Sequence, residues 1–147
     1  MYKHILIPTD GTETAAKAVD AGIEFAREAG AKVTLFTAVP EYRVPGESDI
    51  VARRFTTQDE HERRSRQIAD AILADAAGRA RAAGVEIDTD YVQSDFPYRA
   101  IIAAAKGHGC DLIVMGSHGR HGFAELWHGS QTHDVLTHSS IPTLVYR

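Results

Sequence analysis

Five short apolar, β-rich runs alternate with helix-patterned stretches along this chain, and that alternation leaves few ways to fold. Ile5-Leu6-Ile7 ends at Pro8 and Asp10-Gly11, which reads as a buried strand stopped by a loop. Thr12 to Ala29 carries Ala15, Val19, Ile23 and Ala26 at helical spacing, with Thr12 or Thr14 to cap its start and Gly30 to close it. Val33 to Val39 is a second strand. Pro40 to Thr57 has two prolines, a glycine and no period, and reads as a long loop of the kind that often carries function. Gln58 to Ala83 is the longest helical pattern. Its charged first half predicts a solvated face, and Ile68, Ile72, Leu73, Ala76 and Ala80 predict the buried stripe. Val85 to Tyr91 alternates with acidic residues, as a strand near a sheet edge would. A helix opens at Asp95-Phe96-Pro97, and Leu112 to Met115 is a continuous apolar strand. Ser130 to Thr137 reads as a short helix, and Thr143 to Tyr146 as the last strand. Such βαβαβαβαβ order packs as a parallel sheet with helices on both faces, because each crossover must be right-handed.

The chain has 147 residues, enough for one domain and a sizeable core. With 16 Lys and Arg against 20 Asp and Glu, its net charge of −4 argues against nucleic acid as the main partner. Cys110 is the single cysteine, so no internal disulfide forms and no Cys-x-x-Cys site exists. No apolar run approaches the length of a membrane span and the amino terminus lacks a signal-peptide pattern, so the expectation is a soluble, cytoplasmic protein with no membrane insertion.

The most informative segment follows the fourth strand. Gly116-Ser117-His118-Gly119-Arg120-His121-Gly122 is a glycine-rich loop, and a second Gly129-Ser130 stands directly before a helix. Without Cβ atoms, backbone N–H groups can turn inward and approach a ligand closely. A helix N-terminus adds unpaired N–H groups and partial positive charge. Ser130 adds a hydroxyl and Arg120 a cation, so the set can form a nest for phosphates. A plain glycine-rich turn is the alternative reading. The Walker A pattern is absent, since no Gly-Lys-Ser/Thr occurs, and the dinucleotide fingerprint would follow the first strand rather than the fourth. His118, His121 and His128 lie close in sequence, but no carboxylate or thiolate stands at ligand spacing, which disfavours a metal site.

The stretch Gly116-x2-Gly119-x9-Gly129-Ser130 resembles the nucleotide-binding signature of universal stress proteins. Ile5-Leu6-Ile7-Pro8-Thr9-Asp10-Gly11 is similar to that family's first strand and acidic loop, and Ile141-Pro142-Thr143-Leu144-Val145 to its last strand. The resemblance covers the whole chain, residues 1–147. It implies an open five-stranded parallel sheet ordered 3-2-1-4-5, of the Rossmann-like, adenine nucleotide alpha hydrolase-like kind, with a crevice at the carboxyl ends of its strands.

By that resemblance the crevice holds ATP or a related adenine nucleotide such as ADP or AMP. Asp10 would face the adenosine part, and Ala38 with Val39 would offer backbone groups to the adenine edge. Pro8, Thr9 and Met115 would line the crevice. Gly116, Gly119 and Gly129 would admit backbone N–H groups, with Arg120 beside them. Ser130 and the Gln131 N–H would bind the phosphate tail, and Mg2+ could accompany the phosphates. Gln131 departs from the family's small apolar residue, and its side chain is expected to enlarge or block part of the phosphate end. No catalytic residue is expected, because nothing visibly orients His118, His121 or Arg120 as a base or transition-state cation. The reading is therefore a nucleotide-binding stress-response regulator. The alternatives are a slow ATPase or self-phosphorylating enzyme using Ser130, and an AMP or cyclic AMP sensor. The last strand, ending the sequence uncovered, predicts a homodimer, and the ligand-bound state would address a protein or transporter partner.

Overall fold

In a computed structural model, described here for residues 1–43, 57–117 and 131–147, the described residues form nine elements. They are β1 (His4–Pro8), α1 (Glu13–Ala29), β2 (Lys32–Val39), α2 (Gln58–Ala82), β3 (Ile87–Gln93), α3 (Pro97–Gly107), β4 (Leu112–Gly116), α4 (Gln131–His138) and β5 (Thr143–Tyr146). All five strands run parallel in the order β3-β2-β1-β4-β5. The expected α/β architecture and its strand order are both present.

Strand alternation divides the core into two layers. Ile5, Ile7, Val33 and Leu35 face α1 and α2 and pack with Val19, Ile23, Leu73 and Ala80. Leu6, Phe36, Ala38, Ile113 and Met115 face the opposite way and pack with Ile101, Ala105 and Val135. The three central strands β1, β2 and β4 are therefore apolar on both sides, as a sheet covered twice requires. Helix α1 lies especially close to the sheet: a methyl group at Gly22 would stand 2.7 Å from Ile7 Cδ1 and 3.2 Å from Val114 Cγ1.

The helix boundaries have local causes. Thr12 caps α1, its Oγ1 accepting from the Ala15 N–H, and Gly30 closes it in the left-handed conformation. Thr57 and Glu60 form a capping box at the start of α2. At the amino end of the sheet, the Asp111 carboxylate accepts from the N–H groups of Lys3 and His4, which fastens the entry of β4 to that of β1.

Two expectations shift. The third strand begins at Ile87 and runs to Gln93, two residues later than its alternation predicted. Val85 instead donates its N–H to Ala80 O and buries its side chain, ending α2 before β3 pairs with β2. In α2 the buried residues are Ser65, Ala69, Leu73, Ala76, Ala77 and Ala80. Ile68, predicted within the stripe, is 44% exposed, because that side of the helix overhangs the carboxyl ends of the strands instead of the sheet.

Candidate functional site

β1 ends earlier than its neighbour β2, and this difference in length builds the site. The last paired residues are Pro8 and Phe36, and Thr9 N–H then donates to Phe36 O at 2.8 Å. In a parallel ladder, the N–H and C=O of one residue point to the same neighbour and those of the next residue to the other. Lys32 N–H donates to Lys3 O, and Phe36 O accepts from Thr9, so even-numbered residues of β2 address β1. Val33 N–H donates to Glu86 O, and Val39 O accepts from Ser94 N–H at 2.7 Å, so odd-numbered residues address β3. Ala38 is the first even-numbered residue beyond the end of β1. Its amide and carbonyl consequently face the crevice.

A cavity of about 240 Å³ opens at this place, room for roughly eight waters at about 30 Å³ each. Asp10, Thr37, Ala38, Val39 and Pro40 form its floor. His61, Arg64, Ser65, Ile68 and Ile72 of α2 form its roof. His61 Nε2 donates to Pro40 O at 3.0 Å, which ties the roof to the floor. A larger hollow of about 640 Å³ lies outside, between α2 and the edge strand β3, lined by Asp59, Glu62, Arg63, Arg66, Tyr91 and Gln93. Its charges are surface charges of both signs, and it is remote from the glycine-rich loop's strand.

Asp10 is buried, with its Oδ1 accepting from Thr12 N–H at 3.0 Å and from Thr12 Oγ1 at 2.6 Å. Thr9 Oγ1 accepts from Gly11 N–H at 3.2 Å, and Gly11 takes a positive φ of 79°. These bonds turn the chain from β1 into α1 within a few residues and fix the carboxylate at the cavity wall. Beyond β2, Asp95 accepts from Glu41 N–H and from Arg43 Nη2, so the exits of β2 and β3 are clamped together. The Arg43 guanidinium holds the Asp95 carboxyl below the usual carboxylate range.

β4 lies next to β1 on its other side. Gly116, its last residue, sits against the first turns of α1: a methyl group there would stand 3.3 Å from Ala18 Cβ and 3.8 Å from Thr14 O. Gly116 O accepts from Thr132 Oγ1 at 2.7 Å, so the strand that opens the glycine-rich loop is bonded to the helix that follows it. Met115 is fully buried, and its side chain packs in the layer beneath α3 and α4.

Of the residues named from sequence, Asp10, Ala38 and Val39 meet at one cavity, with Pro8 and Thr9 buried at the strand end that leads into it. Met115 and Gly116 end the adjacent strand. Gly119, Arg120, Gly129 and Ser130 lie outside the described residues, as do His118, His121, Trp127 and most of the loop after Pro40. The Gln131 side chain is buried, and its Oε1 accepts from Tyr98 N–H at 2.8 Å. It thus serves the first turn of α3, where Phe96 at the N-cap position makes no side-chain cap bond. Sequence reasoning missed Thr37, Pro40 and the whole α2 roof. A signal existed: His61, Ser65, Ile68 and Ile72 recur at three- and four-residue spacing, a mixed polar and apolar stripe on one helix face.

An open, doubly wound parallel sheet with a cavity beside the point where strand order reverses defines the class of protein. The model of the universal stress protein family matches residues 1–147, and the chain belongs to that family. It is 31% identical over 151 residues to universal stress protein YxiE of Bacillus subtilis, covering 100% of both chains. It is 28% identical to universal stress protein MJ0577 of Methanocaldococcus jannaschii, covering 100% of this chain and 96% of that one. The solved structure of MJ0577 superposes with a TM-score of 0.76, covering 99% of this chain and 95% of that one. A solved universal stress protein in complex with cAMP gives a TM-score of 0.71 at 25% identity, with 99% and 97% coverage. Among the described residues, no helix is long and apolar enough to cross a membrane.

Proposed function

We propose that this universal stress protein binds an adenine nucleotide, ATP foremost, with the base in the cavity between β2 and α2 and the phosphates toward the glycine-rich loop. The observation that carries the reading is the orientation of Ala38. One residue presents an N–H donor and a C=O acceptor side by side at a slot, and the adenine edge offers the complement, a ring-nitrogen acceptor beside an amine donor. Guanine reverses that pair, placing a carbonyl and a ring N–H there, so the same backbone groups disfavour it. A relative of the same fold in complex with cAMP supports an adenine ligand for this chain.

The Asp10 carboxylate lines the cavity and would accept from a ribose hydroxyl. Gly116, Gly119 and Gly129 would admit backbone N–H groups to the phosphates, with Arg120, Ser130 and the Gln131 N–H alongside. Mg2+ would be held chiefly by phosphate oxygens and its own waters. The nucleotide-loaded chain would act as a cytoplasmic stress-response regulator that addresses a protein or transporter partner. It would do so as a homodimer paired through β5, an edge strand on which Leu144 and Tyr146 are exposed.

Mass spectrometry of the natively purified protein, followed by calorimetric titration with ATP, AMP, cAMP and GTP, tests the reading. Retained or titrated adenylate with GTP at least tenfold weaker is the expected result. Indifference to every adenylate at millimolar concentration defeats it. Phosphate release measured over hours separates binding from turnover, and a monomeric mass at micromolar concentration with and without ATP removes the dimer.

A further inference from the structure

Thr37 lies one residue before Ala38, on the sheet face covered by α2, and it lines the same cavity. It is only 1% exposed. Its Oγ1 is buried and makes no hydrogen bond, alone in this among the side-chain nitrogen and oxygen atoms of the described residues. Buried hydroxyls are ordinarily paired, because desolvation without a partner is costly. Threonine is also not needed there for shape, since valine fills nearly the same space on a β-strand.

We infer that Thr37 is a specificity-determining residue whose hydroxyl accepts a hydrogen bond from the exocyclic amino group of the bound base. This rests on the reading of the cavity as a base slot. An amino group has two hydrogens. When the Ala38 carbonyl takes one, the second needs an acceptor on the same side of the slot, and Thr37 Oγ1 is the neighbouring polar atom on the strand. The Asp10 carboxylate, whose Oδ1 accepts twice from Thr12, is assigned to the ribose. The pair Ala38 and Thr37 would thereby recognise a primary amine on the ring and discriminate against heterocycles that lack one.

The test crosses a protein change with a ligand change. Thr37→Val removes the hydroxyl, and Thr37→Ser keeps it. Each is titrated with ATP and with purine riboside triphosphate, which lacks the amine. Wild type and Thr37→Ser are expected to bind ATP alike, whereas Thr37→Val binds it about tenfold more weakly, the loss of one net hydrogen bond. Purine riboside triphosphate is expected to bind wild type and Thr37→Val equally. The ligand-free Thr37→Val protein should melt higher than wild type, because its unpaired hydroxyl is gone; a merely structural threonine would melt lower on the same change. Equal ATP affinity for wild type and Thr37→Val overturns the inference and leaves the base slot standing. Equal losses with both ligands overturn the amine contact. Failure of wild type to bind either triphosphate overturns the underlying reading of the site.

Discussion

Replacing Gly11 with alanine tests whether the loop after β1 sets the cavity roof. Gly11 has a φ of 79°, and a methyl group there would stand 2.9 Å from Ile72 Cγ1 and 3.4 Å from its Cδ1. Two costs follow. An L side chain in the left-handed region costs about 1–2 kcal/mol. Relief of the contact requires Ile72 to leave its rotamer or α2 to shift, which adds about 0.5–1.5 kcal/mol. The sum is about 1.5–3.5 kcal/mol, or roughly 3–14 °C in Tm at about 2–4 °C per kcal/mol for a chain near this size. Gly84 provides the control: its φ is 75°, yet a methyl group there would meet nothing within 4 Å. Urea unfolding of Gly11→Ala, Gly84→Ala and Ile72→Ala, together with the double variant Gly11→Ala/Ile72→Ala, separates backbone strain from the contact. The double variant should recover the contact portion only, as a coupling between the two sites. Because Ile72 lines the cavity, Gly11→Ala should also weaken adenylate binding, whereas Gly84→Ala should not. If Gly11→Ala costs no more than Gly84→Ala, or shows no coupling to Ile72, the roof is not set by this loop.

Other consequences are equally direct. Burial raises the Cys110 thiol to about 11, so alkylation by iodoacetamide at pH 8 should be slow in the native state and fast in urea; rapid native labelling would contradict the burial. The imidazole of His4 is lowered by burial, then by Lys32 and His108, and its Nε2 meets Thr34 Oγ1 at 2.7 Å. Its native value lies below the unfolded one, so the unfolded chain takes up the proton first. The associated stability is complete above about pH 6.5 and is lost as pH falls through the lowered native value. His4→Gln should therefore flatten the loss of stability between pH 7 and pH 5, as read by urea midpoints; an unchanged slope would assign it to other groups. Thr132→Val deletes the bond to Gly116 O, leaving a carbonyl short of a partner at about 1–3 kcal/mol. Thermal melts should show the loss, and adenylate affinity should fall with it if the bond holds the glycine-rich loop in place.

The amino-acid sequence by itself determined the order of elements, the parallel sheet with two apolar layers, a threonine cap at Thr12 or Thr14 with a stop at Gly30, and the placement of Asp10 and Gly116 at strand ends. Those features are local. Period, punctuation by glycine and proline, and runs such as Leu112 to Met115 report directly on what one element buries. The glycine spacing after the fourth strand also carried the family resemblance. Only the tertiary structure decided the cavity. Its roof on α2 reads along the chain as a charged, solvated helix, because residues such as His61 and Arg64 keep partial contact with water while facing Pro40 and Asp10 across a gap. Thr37 reads as an ordinary strand residue, since sequence shows burial but not whether a hydroxyl has a partner. Ala38 faces the crevice solely because β1 stops one ladder step short of it, and the relative lengths of two strands become visible only once their register is set. Gln131, expected from sequence to enlarge or block part of the phosphate end, holds its Oε1 on Tyr98 N–H, because the uncapped first turn of α3 lies within its reach.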